Sequence, residues 1–126
     1  MQFNVHFPSV NQFNLYTDNS VTIQDCEYSE DILVFNTIVK KMNPIYHIGE
    51  LDITYLSEIC LFRPDIMIIG TGKTIVYPEH KLIRHVQING IGIEIMTIKS
   101  LCRTFNFLAS ENRKILALLL FNIKTS

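Results

Sequence analysis

The chain has 126 residues, 48% of them apolar and 18% charged, with 11 Lys and Arg against 12 Asp and Glu and a formal net charge of −1. That length suits one domain, and that apolar content suits a buried core rather than a disordered chain. The balanced charge supplies no field that would draw nucleic acid or an anionic lipid surface, so neither is an expected partner.

Cys26, Cys60 and Cys102 are odd in number, far apart and form no CxxC. This argues against a disulfide framework or a zinc site and suits a reducing compartment. The opening MQFNVHFPSV has no basic stretch followed by an apolar one, unlike a secretion signal. The longest apolar run, Ile115 to Phe121, is far short of the roughly 20 residues of a membrane helix. The expectation is a cytoplasmic protein with no transmembrane segment, no bound metal and no cofactor. No repeat or linker divides the chain, so 1–126 reads as a single domain, with 1–11 as a loose arm or an edge strand.

In chain order, Val21 and Ile23 alternate with polar neighbours, as in a half-buried strand. Asp25 to Asp31 is polar and turn-like, and Ile32 to Phe35 reads as a more buried strand, so a hairpin-type β start is expected. Asn43-Pro44 is a break, and Ile45 to Ile48 a short strand. Tyr55, Leu56, Ile59 and Cys60 fall at helical spacing, with Thr54 as the expected cap and Pro64 as the stop.

The second half is more regular. Ile66 to Ile69 is a continuous apolar run, as in a strand buried on both faces. A helix with Pro78 in its first turn and the stripe Leu82, Ile83, Val86 is expected, and it ends at Asn89-Gly90. Ile91 to Met96 reads as a strand. Leu101, Phe105 and Leu108 mark a second helix face, widened by Cys102 and Ala109. Ile115 to Phe121 reads as a central strand. This β-α-β-α-β alternation predicts a mainly parallel sheet covered by helices, joined to a β-rich, antiparallel first half.

The stretch Gly70-Thr71-Gly72-Lys73-Thr74 follows a buried strand and so invites a nucleotide reading. A phosphate loop needs G-x-x-x-x-G-K-[ST] with a helix starting at its lysine. The first glycine would fall at Met67, inside the strand, and Thr74 to Tyr77 looks extended. The dinucleotide fingerprint fails as well, with Ile75 at its third glycine. The glycines are better read as backbone freedom where the strand leaves the sheet. Such carboxyl-end loops are nonetheless where α/β sheets bind ligands, and successive N–H groups there can hold an anion.

Four segments carry a family likeness: Arg63-Pro-Asp-Ile-Met-Ile-Ile-Gly-Thr-Gly-Lys73, Tyr77-Pro78, Gly90-Ile-Gly-Ile-Glu-Ile-Met96, and Leu101-Cys-Arg-Thr-Phe-Asn-Phe-Leu108 followed by Glu111-Asn-Arg113 and the Leu-rich strand. Over roughly residues 12–121 the chain resembles a small family of single-domain proteins. That family includes many bacterial members of unknown function and the mitochondrial NADH dehydrogenase (complex I) alpha subcomplex assembly factor 3. The resemblance implies a three-layer α/β fold on a central mixed sheet. It implies no catalytic residues, and an interaction role more readily than turnover. Where the family carries a small polar or acidic residue, Thr and alanines after the strand, this chain has Thr97-Ile98-Lys99-Ser100.

Several residues are candidates for a ligand or partner site. Glu94 is a charge inside an apolar strand, and Arg103 on the following helix is its candidate ion-pair partner. Together they could instead line a pocket beside the GTG loop, since an arginine fork suits phosphate or carboxylate. Cys102 reads as a small buried hydrophobe, because a nucleophile would need a base and a lowered pKa. Asn106 reads as a bridge between backbone groups. His80 and His85 lack metal spacing and read as solvated, beside Lys81 and Arg84. Two functions are therefore expected. The first is a non-enzymatic protein-interaction domain serving assembly of a respiratory or other membrane complex. The second is a small-anion module or enzyme using Gly70, Thr71, Gly72, Lys73 and Arg103.

Overall fold

The computed structural model describes residues 4–6, as backbone, and residues 12–124. Nine strands and three α-helices follow in chain order. The strands are β1 (Asn4–His6), β2 (Leu15–Tyr16), β3 (Val21–Ile23), β4 (Cys26–Tyr28), β5 (Ile32–Phe35), β6 (Ile38–Lys41), β7 (Ile66–Gly70), β8 (Gly92–Met96) and β9 (Ile115–Leu119). The helices are α1 (Ile53–Cys60), α2 (His80–Ile88) and α3 (Ile98–Ser110). Most of the arm expected over 1–11 lies outside the described residues, and within it Asn4–His6 forms an edge strand.

The main sheet has six strands in the order β1-β6-β5-β9-β7-β8. β7 lies between β9 and β8 and is parallel to both, with Ile68 level with Ala117 on one side and Glu94 on the other. β5 joins β9 antiparallel, and β6 and β1 continue antiparallel outward. The sheet is mixed, as expected. A small three-stranded sheet, β2-β3-β4, stands apart.

Strand periodicity sorts the core into two clusters, one on each face of the sheet. Leu33, Phe35, Met67, Ile69, Leu116 and Leu118 pack against Leu56 and Ile59 of α1 and Leu82 and Val86 of α2. The alternate residues Ile32, Val34, Ile68, Ile115, Ala117 and Leu119 pack against Ile98, Leu101, Cys102 and Phe105 of α3, together with Val21 and Ile23 of the small sheet. The layers are thus α1 and α2, then the sheet, then α3 with the small sheet.

Several local expectations are corrected. Asp25 to Asp31 is not all turn, since Cys26–Tyr28 pairs with Val21–Ile23 through a tight turn at Gln24 and Asp25, with φ of 49° and 66°. That hairpin belongs to the small sheet, whereas Ile32 to Phe35 pairs with β6 through a turn at Asn36, φ 50°. Ile45 to Ile48 is not a strand. There Glu50 accepts the N–H groups of Tyr46 and His47 at 2.7 and 2.9 Å and closes a single 3₁₀ turn, Ile48–Glu50. The cap of α1 is Asp52, which accepts from the Tyr55 N–H at 2.9 Å, and not Thr54. α2 starts at His80, two residues after Pro78.

Candidate functional site

The GTG loop lies at the carboxyl end of β7, and the fold uses most of its polar groups. The Thr71 N–H donates to Met96 O at 3.1 Å, joining the end of β8. The fully buried Thr71 hydroxyl donates to Thr74 O at 2.8 Å and accepts from the Val76 N–H at 2.9 Å, so it shapes the next five residues. Gly70 O accepts from Leu120 N and Gly72 O from Ile98 N, tying the loop to the end of β9 and the start of α3. Gly72 has φ 81°, the left-handed region that glycine enters without strain. A Cβ on Gly70 would lie 3.0 Å from Leu101 Cδ1 and 3.2 Å from Ile98 Cα, so this glycine sets how closely α3 crosses the sheet. No helix follows Lys73, which is exposed.

The candidates on β8 and α3 are placed apart. Glu94 and Arg103 are both exposed, and neither forms an ion pair among the described residues, so the expected pair is absent. β8 is an edge strand, and a charge in its middle deters pairing with other strands. Cys102 is fully buried under α3, and that burial, with a smaller push from Asp18, raises its thiol well above the ordinary value. Its thiolate is thereby disfavoured as a nucleophile. Asn106 bridges backbone groups as expected: it accepts from the Phe13 N–H at 2.8 Å and donates to Phe13 O at 2.9 Å.

A different constellation stands at the opposite end of the parallel strands, where α1 and α2 finish. A cavity of about 340 Å³ is lined by Ser57, Cys60, Leu61, Arg63, Asn89 and Gly90, among others. Its rim is fixed by two left-handed residues, Arg63 at φ 52° and Gly90 at φ 79°. His85 is not simply solvated, because its Nε2 lies 3.0 Å from Ser57 Oγ and so links the two helices. A second hollow of about 260 Å³ runs along α2, from Lys81 near its start to Ile88 at its end, and is also lined by Ile53, Arg84 and His85. Leu61 and Ile88 are 80% and 78% exposed, unusually open for large apolar side chains. Leu61 sits one residue beyond the last turn of α1, and Ile88 lies off the Leu82–Val86 stripe of α2. That off-stripe placement was the signal in the sequence for both.

The buried acid that sequence reasoning missed is Asp31, just before β5. Its carboxylate accepts from the N–H groups of Ile45 and Phe121, both at 2.7 Å, and of Asn122 at 3.1 Å. Burial pushes this carboxyl above the ordinary carboxylate value, against the pull of the three N–H donors. Tyr55 is pushed to about 12, first by burial and then by the negative charges of Asp31 and Glu58. Among the described residues, no cluster of His, Cys, Asp and Glu could hold a metal ion, and no helix is long and apolar enough to cross a membrane.

The fold and this polar economy define a small three-layer α/β domain whose glycine loop is built into its own framework. The chain belongs to the family described as "Protein of unknown function (DUF498/DUF598)", which matches residues 13–120. It is 25% identical over 104 residues to the "13 kDa major membrane protein" of Francisella tularensis subsp. holarctica, covering 82% of this chain and 85% of that one. It is 28% identical over 73 residues to the "NADH dehydrogenase [ubiquinone] 1 alpha subcomplex assembly factor 3" of Xenopus tropicalis. That match covers 54% of this chain and only 40% of the frog protein. A Xanthomonas campestris protein solved by NMR superposes with a TM-score of 0.79 at 19% identity, over 92% of this chain and 89% of the other, and shows the shared fold.

Proposed function

We propose that the chain is a non-enzymatic protein-interaction domain that serves assembly of a respiratory or other membrane-bound complex. The observation that carries this reading is the exposure of Leu61 and Ile88, two large apolar side chains left in water on one helical layer. Monomers that expose such groups together generally bury them against a partner. The frog relative is named as an assembly factor and the Francisella relative as a membrane protein, and both names fit a chain that works beside a membrane complex. Its three unpaired cysteines, two of them buried, suit a reducing compartment.

The test is affinity purification of the tagged chain from its native cells, with mass spectrometry of what co-elutes. A stoichiometric protein retained at moderate salt supports the reading and names the complex. A chain that elutes alone across a range of salt concentrations defeats it.

A further inference from the structure

We propose that the docking surface runs from the carboxyl-terminal ends of α1 and α2 back along the exposed side of α2, and that its occupant is a short partner-protein segment carrying an Asp or Glu beside apolar residues. This rests on the interaction role proposed above and says where and what the chain binds.

Shape is the first argument. Two hollows adjoin there, one behind Leu61 and one beside Ile88, with the Ser57–His85 hydrogen bond between them. Apolar side chains of a partner can enter the mostly apolar hollow beside Ile88, while the more polar hollow behind Leu61 suits a polar or charged group. Burying exposed apolar surface favours association, and large apolar side chains supply anchors of the kind that dominate interfaces.

Charge is the second argument, and it selects the partner. The chain as a whole is at −1, yet no Asp or Glu lines either hollow, whereas Arg63, Lys81 and Arg84 do. Lys81 is engaged by Glu79 at 3.8 Å, at the far end of α2. Arg63 and Arg84 are exposed and have no ion-pair partner among the described residues. The base of Arg63 is held still, since its N–H donates to Cys60 O at 2.9 Å and the buried Pro64 follows it. A guanidinium on a fixed base presents its donor fork to a carboxylate at less entropic expense than a mobile lysine. A second copy of the chain fits poorly, because a two-fold contact through this face sets arginine against arginine. A lipid surface also fits less well, because the apolar groups rim hollows that side chains can enter instead of forming one protruding stripe.

The test places a photo-crosslinking amino acid at Leu61, at Ile88 or, as a control on the opposite layer, at Phe107, in the full-length chain in its native cells. Purification of the unmodified tagged chain runs in parallel. Crosslinks from 61 and 88 are expected to map to one segment of one protein, with an Asp or Glu among its apolar residues, and Phe107 is expected to give none there. The double variant Arg63→Glu, Arg84→Glu should lower the crosslink yield at least tenfold while its thermal midpoint stays unchanged. A co-purifying partner that crosslinks only from Phe107, or whose crosslinks ignore the charge reversal, overturns this surface and leaves the interaction role standing. Crosslinks to lipid or to a second copy overturn it as well. No co-purifying protein and no crosslink defeats both readings.

Discussion

The side-chain amide of Asn106 on α3 pairs with the backbone of Phe13, 93 residues earlier, accepting its N–H at 2.8 Å and donating to its C=O at 2.9 Å. The amide acts as one rung of a β-ladder for Phe13, just before β2. The Phe105 ring stands edge-on to Phe13 at 5.2 Å, so two consecutive residues of α3 hold the segment that enters the small sheet. Asn106→Ala removes both bonds and should destabilise the fold by about 2 kcal/mol. Asn106→Asp turns an acceptor oxygen toward Phe13 O and should be at least as harmful at neutral pH. Urea unfolding measures both, and faster exchange of the Phe13 amide would localise the damage.

Asp31 is a stronger case because one carboxylate satisfies three N–H groups from two separated parts of the chain. It fixes the loop after β6 to the residues after β9. Asp31→Ala leaves those donors without a partner in a dry site and should cost about 3 kcal/mol or more. Asp31→Asn retains one acceptor oxygen but points an NH2 group at other donors, so an intermediate loss is expected. Equal stability of Asn and wild type in urea titrations would show that water reaches the site.

The GTG loop separates two reasons for a glycine. Gly70→Ala puts a Cβ 3.2 Å from the α3 backbone at Ile98, so the helix must move, and a loss of about 1–3 kcal/mol is expected from overpacking. Gly72→Ala has room, with its nearest neighbour at 3.9 Å, but sits at φ 81°. Strain alone should then cost about 1–2 kcal/mol. Lys73→Ala, at an exposed site, should stay within about 0.5 kcal/mol of wild type. Thermal melts of the three variants give the ranking, and a large loss at Lys73 would reopen the loop as a charged site.

The carboxyl-terminal half was legible because each strand there is a run of five mostly apolar residues and each helix carries a clear stripe. β7, β8 and β9 were found that way, whereas the central mixed sheet was what the family resemblance implied. The amino-terminal strands are only two to four residues long; β3 and β5 still showed in the pattern, whereas β2, β4 and β6 were too short or too polar for periodicity to speak. β4 reads Cys-Glu-Tyr, and its turn uses Gln24 and Asp25 in left-handed conformations where a glycine would have given the signal. Glu94, level with Ile68, lies on the α3 face of β8, but nothing in a sequence measures lateral distance, so the expected pairing with Arg103 could not be judged there. The Ser57–His85 link and the three donors of Asp31 join residues 14 to 91 positions apart. Such contacts are products of the topology and leave no local trace.

The buried thiols give the last prediction. Cys26 is exposed, whereas Cys60 and Cys102 are buried and burial raises both thiols. An aromatic disulfide reagent should therefore titrate one thiol quickly in the native chain and three in denaturant. The same shifts fix a pH dependence. Folding keeps the Cys60 and Cys102 thiols and the Tyr55 hydroxyl protonated at pH values where the unfolded chain has begun to release those protons. The unfolded state then binds fewer protons than the native state, so stability falls as pH rises. The decline should begin near the ordinary thiol pKa of about 8.5 and steepen near about 10 as tyrosine joins, at about 1.4 kcal/mol per pH unit for each fully shifted group. Cys102→Ala should flatten the first part of that slope even though it leaves a small cavity. Urea midpoints between pH 7 and 10 measure the slope, and a wild-type curve that is level across that range would mean that the thiols reach water in the native chain.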